Sequence, residues 1–140
     1  MGIVYRCDAD LGCTFVVWGE NVSPEQWRAH RERLWADPAF PPGPKTLADL
    51  RLAGSALQIT SASIGEMADL FRARGDGPSK VAAVPNAAWD KTREFERAVE
   101  GSGITVISFT EIVTACAWLG IDAHAAQTIL AELREQLAKA

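Results

Sequence analysis

Apolar residues recur along this chain with two different periods, and the two periods alternate. Residues 3–7 and 14–18 are short runs rich in Val, Ile, Phe and Tyr, the composition of strands. The turn-like string Asp8-Ala9-Asp10-Leu11-Gly12 separates them and predicts a hairpin. Ser23-Pro24-Glu25-Gln26 announces a helix: Ser23 caps, Pro24 suits the first helical position and Gln26 completes a capping box. That helix runs to about Ala36 and places Trp27, Leu34 and Trp35 on one side. Residues 37–45 hold four prolines and one glycine, a loop of restricted φ. Residues 46–52 predict a third strand, whose alternation puts Ala48, Leu50 and Leu52 on one face and Asp49 and Arg51 on the other.

The second half repeats the alternation. Residues 53–62 are irregular, and Ser63-Ile64-Gly65-Glu66 reads as a second capping box. The helix that follows carries Ile64, Met67, Ala68 and Phe71 on one face and ends near Gly75. Residues 80–85 are almost all apolar, as in a strand buried on both faces. Asn86 starts a third helix with Ala88, Thr92, Phe95 and Val99 as its buried row, and Gly101 and Gly103 stop it. Residues 104–109 predict the last strand. Thr110 caps a helix bearing Ile112, Val113, Cys116 and Leu119, which Gly120 ends. Asp122 caps a final helix striped by Ala126, Ile129, Leu130, Leu133 and Leu137. This order predicts an α/β fold: a single mixed, mostly parallel five-stranded sheet with an N-terminal β-hairpin, covered by four to five helices. Residues 1–120 form the domain. Residues 121–140 form an amphipathic helix, packed on that domain or at a twofold dimer contact.

Composition narrows the function by exclusion. The chain has 140 residues, enough for one domain with a real core, and its net charge of −4 gives no basic surface to attract nucleic acid. Three cysteines, Cys7, Cys13 and Cys116, form no C-x-x-C, and a reduced cytoplasmic setting is expected. The first residues lack a basic, then apolar, secretory pattern. The longest apolar stretch, residues 112–121, falls far short of the roughly 20 residues a membrane span needs.

Few residues offer chemistry. Ser61 and Ser63 stand where a helix starts, a position at which a phosphate or another anion is favoured, although a cap alone also accounts for Ser63. His30 lies at the edge of an apolar helix face and reads as a half-buried structural histidine before it reads as a base. His124 sits in the first turn of the last helix, where a cation is disfavoured. The histidines stand apart from other ligands at zinc spacing, Asp8 and Asp10 begin no calcium loop, and the string 75–80 lacks phosphate-loop spacing, so neither metal nor cofactor is expected. Cys7 and Cys13 flank the hairpin turn and could face one another, but read as small apolar strand residues. Five tryptophans are many for this length. Core burial is their default, and the alternative is an exposed aromatic surface drawn from Trp27, Trp35 and Trp89 beside Arg28, Arg31 and Phe40.

Several strings, in order, resemble the bacterial SpoIIAA-like (STAS/Sec14-like) domain family. They are Leu47-Ala48-Asp49-Leu50-Arg51, the A-x-x-W-L pattern in Ala115-Cys116-Ala117-Trp118-Leu119, Arg93-Glu94-Phe95-Glu96 before a glycine stop, and Gly19 ahead of the Ser23-led helix. The resemblance spans about residues 3–120. It implies a small α/β module that binds protein partners, in some members switched by phosphorylation of a serine where Thr60-Ser61-Ala62-Ser63 stands here. The Asp-Ser-x-Gly pattern of such switches is absent, and the spacing from Asp49 is longer. Sec14-like relatives hold lipids. The leading expectation is therefore a non-catalytic regulatory module acting through protein contact, with Trp27, His30, Phe40, Asp49 and Arg51 as its partner or ligand surface. The alternative is a carrier of a small apolar ligand, with residues 53–62 and Ala- and Trp-rich helix faces opening a pocket. Third stands an enzyme, which would have to unite residues such as Asp49 and His30 from distant elements.

Overall fold

A computed structural model describes residues 2–75 and 77–139. Asp76, inside the string 75–80, and the terminal residues Met1 and Ala140 lie outside them. The described residues form an α/β fold with one five-stranded mixed sheet and five helices. In order they are β1 (Ile3–Asp8), β2 (Cys13–Trp18), α1 (Pro24–Ala36), β3 (Lys45–Leu50), α2 (Ser61–Arg74), β4 (Ser79–Pro85), α3 (Trp89–Ala98), β5 (Ile104–Ser108), α4 (Ile112–Leu119) and α5 (Ala123–Lys139). The strands lie side by side in sequence order, with β1 antiparallel to β2 and every other pair parallel.

That order fixes the layers. Parallel neighbours joined through a helix require right-handed crossovers, and three crossovers advancing in one direction put α1, α2 and α3 on the same face of the sheet. The opposite face is left to the two helices that follow β5. The core divides accordingly. Phe15, Val17, Leu47, Ala82 and Val84 pack under α4 and α5. Val16, Trp18, Ala48, Leu50 and Ala83 face α1 and α2. The apolar stripe of α5, Ala126, Ile129, Leu130, Leu133 and Leu137, is buried in this chain's own core.

Several boundaries differ from the sequence expectation. The second capping box is Thr60 with Ser63, not Ser63 with Glu66: the Ser63 amide donates to Thr60 Oγ1 (3.1 Å) and the Thr60 amide to Ser63 Oγ (2.9 Å). Both pairings have the same spacing. Capping at Thr60, three residues before Ser63, gains most of an extra turn of helix. α3 begins at Trp89 after an Ala88 that supplies no capping side chain, and α4 follows Glu111, likewise uncapped. Val113, placed on the apolar row by spacing, is 54% exposed. β3 ends at Leu50, and Leu52 lies beyond it on the surface. Cys7 pairs with Thr14, one residue out of step with Cys13, so the two thiols point to opposite faces of the sheet and cannot meet.

Candidate functional site

The two faces of the sheet are packed differently, and the reason lies in side-chain size. Under α4 and α5 the sheet presents Phe15, Leu47 and Val84 to Leu119, Leu130 and Leu133, all nearly or fully buried. On the other face the register aligns Val16 with Ala48 and Ala48 with Ala83, and alongside it Thr46 with Val81. The middle of that face therefore carries little volume beyond Cβ. The helices above it carry large rings. Trp18 meets Trp27 edge-on at 5.5 Å between centroids, Trp27 meets Phe95 at 5.3 Å, Phe95 meets Phe71 at 5.6 Å, and Phe71 meets Trp35 at 5.4 Å. These T-shaped contacts prop the rings against one another across α1, α2 and α3. They form a roof that does not reach the floor. A cavity of about 90 Å³ remains, bounded below by Thr46, Ala48, Val81 and Ala83 and above by Trp27 and Phe95. Leu57 and Ile59, from the stretch after β3, close one side.

Polar groups on this wall are few. His30 is only 2% exposed, and its Nδ1 is buried without a hydrogen-bond partner. Its ring stands edge-on to Tyr5 at 5.6 Å. Burial, with the nearby charges of Arg31 and Arg33, pushes its pKa down to about 3, so the imidazole is neutral at ordinary pH. Arg31 is buried too, with its guanidinium 4.5 Å from the Phe71 centroid, 4.9 Å from Trp35 and 5.8 Å from Phe40. Lys91 and Thr92, in the first turn of α3, complete the polar lining.

The structure distributes the sequence-predicted residues over several places. Trp27 and His30 line the cavity; both are buried, and Trp27 belongs to no exposed aromatic patch. Phe40 is half-buried against Arg31, outside the lining. Asp49 is fully buried on the opposite face of the sheet, where it accepts from Arg51 Nε and Nη2 (both 2.9 Å) and from Arg134 Nε of α5 (3.2 Å). Burial opposes its ionisation, but the Arg51 hydrogen bonds and the two guanidinium charges outweigh it and hold its pKa below the usual range. Asp49 and His30 are thus separated by the sheet and form no acid–base pair. Ser61 is exposed in the first turn of α2, whereas Ser63 is buried and its hydroxyl donates to the Thr60 carbonyl. Burial raises the pKa of all three thiols, Cys13 to about 12, which leaves them protonated and unreactive. Among the described residues no three His, Cys, Asp or Glu side chains gather as a metal site. No helix there is long and apolar enough to cross a membrane.

Sequence reasoning missed the floor. Its signal was present as small residues at alternate positions of two neighbouring strands, Thr46 and Ala48 in one, Val81 and Ala83 in the other. It also missed Lys91, which carries no motif. No family model matches the chain, and neither a curated protein nor a solved structure matches it.

Proposed function

We propose that this protein is a small-molecule binding module that holds an apolar group between the sheet and the layer formed by α1, α2 and α3. One observation carries this reading: the cavity walled by Trp18, Trp27, Phe71 and Phe95 over a floor of Thr46, Ala48 and Ala83. Apolar cavities with a few polar groups on the wall are the usual form of small-ligand sites. The likeness of residues 47–51 and 115–119 to STAS/SpoIIAA-like strings agrees with it, since Sec14-like relatives hold lipids. A regulatory role through protein contact has less support. Only Leu52 and Val113 are large, exposed apolar side chains among the described residues, and a docking surface needs a contiguous patch. Native mass spectrometry of freshly purified protein, with an organic extract analysed alongside, tests the proposal. The expected result is a mass excess that the extract identifies, or saturable binding of toluene or 3-methylbutan-1-ol by a chain with clean apo mass. The absence of any adduct together with no binding of either probe would overturn it.

A further inference from the structure

Charge on the cavity wall is of one sign. Arg31 and Lys91 line it, and among the described residues no aspartate or glutamate does. Lys91 is half-buried and makes no ion pair among the described residues. It lies in the first turn of α3, a helix of ten residues whose N-cap, Ala88, offers no side chain to the first amides. The Trp89 amide is taken by the Asn86 carbonyl (3.3 Å), and the amides that follow it, with the helix dipole, favour an anion at that end. Two nearby carboxylates do not fill the role: Asp90 is exposed and lies outside the lining, and Glu96 accepts from the Ser108 amide (2.9 Å) and hydroxyl. The His30 imidazole on the same wall is buried and neutral, with its Nδ1 closed to solvent, so it adds no competing charge.

Building on the proposed function, we infer that the ligand is a small amphiphilic carboxylate. Its apolar body fills the space over Ala48 and Ala83, and its anionic head is held at Lys91 and the start of α3. The size of the cavity restricts the body. At about 90 Å³ it is smaller than the roughly 150 Å³ engineered cavity that accepts benzene, so the body is a short branched chain or a ring that protrudes from the mouth. The other face of the sheet supplies a contrast: its buried charge, Asp49, is already matched by two arginines.

Matched pairs of probes test this inference separately from the reading on which it rests. 3-Methylbutanoate and 3-methylbutanamide form the small pair; phenylacetate and phenylacetamide form the larger one. Each is titrated into the full chain and followed by tryptophan fluorescence, since Trp18 and Trp27 line the site. In at least one pair the carboxylate should bind tenfold or more tighter than the amide. Lys91→Gln should erase that preference and leave the amide affinity unchanged. Equal binding of acid and amide overturns the anionic head and leaves the apolar site standing, as does a preference that survives Lys91→Gln. No binding by any of the four probes overturns the inferred carboxylate, while the apolar site is judged by the adduct and by toluene and 3-methylbutan-1-ol binding.

Discussion

A neutral histidine inside an apolar wall makes the fold sensitive to mild acid. The His30 pKa is pushed from its ordinary 6.5 down to about 3 in the folded chain. Between those values the unfolded chain binds a proton that the folded chain refuses, so stability is complete above pH 6.5 and falls as pH drops through the window. The slope is about 1.4 kcal/mol per pH unit, and the whole window amounts to about 5 kcal/mol. Asp37 and Asp49, whose pKa values are held low, add losses in the same direction only below their ordinary 3.8. Urea unfolding at pH 7, 6, 5 and 4.5 should therefore trace His30 alone, and His30→Phe should flatten the profile across that range. A slope unchanged in His30→Phe would refute the assignment. The base limb combines the three thiols, raised by burial, whose contribution is lost as pH rises above their ordinary 9, with Tyr5, raised to about 12 by burial and by donating to Asp37 Oδ2 at 2.7 Å. The Tyr5 contribution is complete below pH 10 and is lost as pH rises towards 12.

At the level of elements, Asp49 joins α5 to the centre of the sheet. It is fully buried on β3, while Arg51 and Arg134 are partly exposed, their side chains at 40% and 34%. Either arginine alone leaves the carboxylate compensated, and solvent screens the loss, so Arg51→Met or Arg134→Met should each cost about 1 kcal/mol. Removing both strands a buried charge, for which a cost of about 3–5 kcal/mol is expected. Denaturant unfolding of the two single variants and the double variant reads this as strong non-additivity, and simple additivity would count against it. Much of this level was legible beforehand. Strand–helix alternation, the Ser23–Gln26 box and the glycine stop at Gly120 are local signals, and the stripe of α5 is periodic. Asp49 was not legible as a buried ion pair, because its second partner lies 85 residues away. Nor was the Thr60 box, because two overlapping strings of equal spacing compete for one helix start.

Across the whole molecule, two layers with one sheet between them differ in how completely they are filled, and adjacent residues of a single strand sense that difference. Ala82 faces α4 and α5 and is fully buried among Phe15, Leu47 and Leu119. Ala83 faces the cavity, in register with Ala48. The small residues of the floor stand in the sequence, but that they leave a cavity depends on which alanine opposes which across strands joined only in the folded state. Enlarging Ala82 to Leu forces extra methylenes into a closed interior, which costs about 1–3 kcal/mol. Enlarging Ala83 to Leu fills existing space with apolar contacts, so its effect should be neutral or stabilising by about 1 kcal/mol. The same substitution removes the room a ligand would take, so Ala83→Leu should also abolish binding of the four probes. Thermal unfolding and probe titration of the two variants therefore move in opposite senses: Ala82→Leu is destabilised with its cavity intact, and Ala83→Leu is stable but blind to ligand. Equal destabilisation of both would mean that the sheet is as tightly packed on the α1–α3 side as on the other, and the site would lose its physical basis.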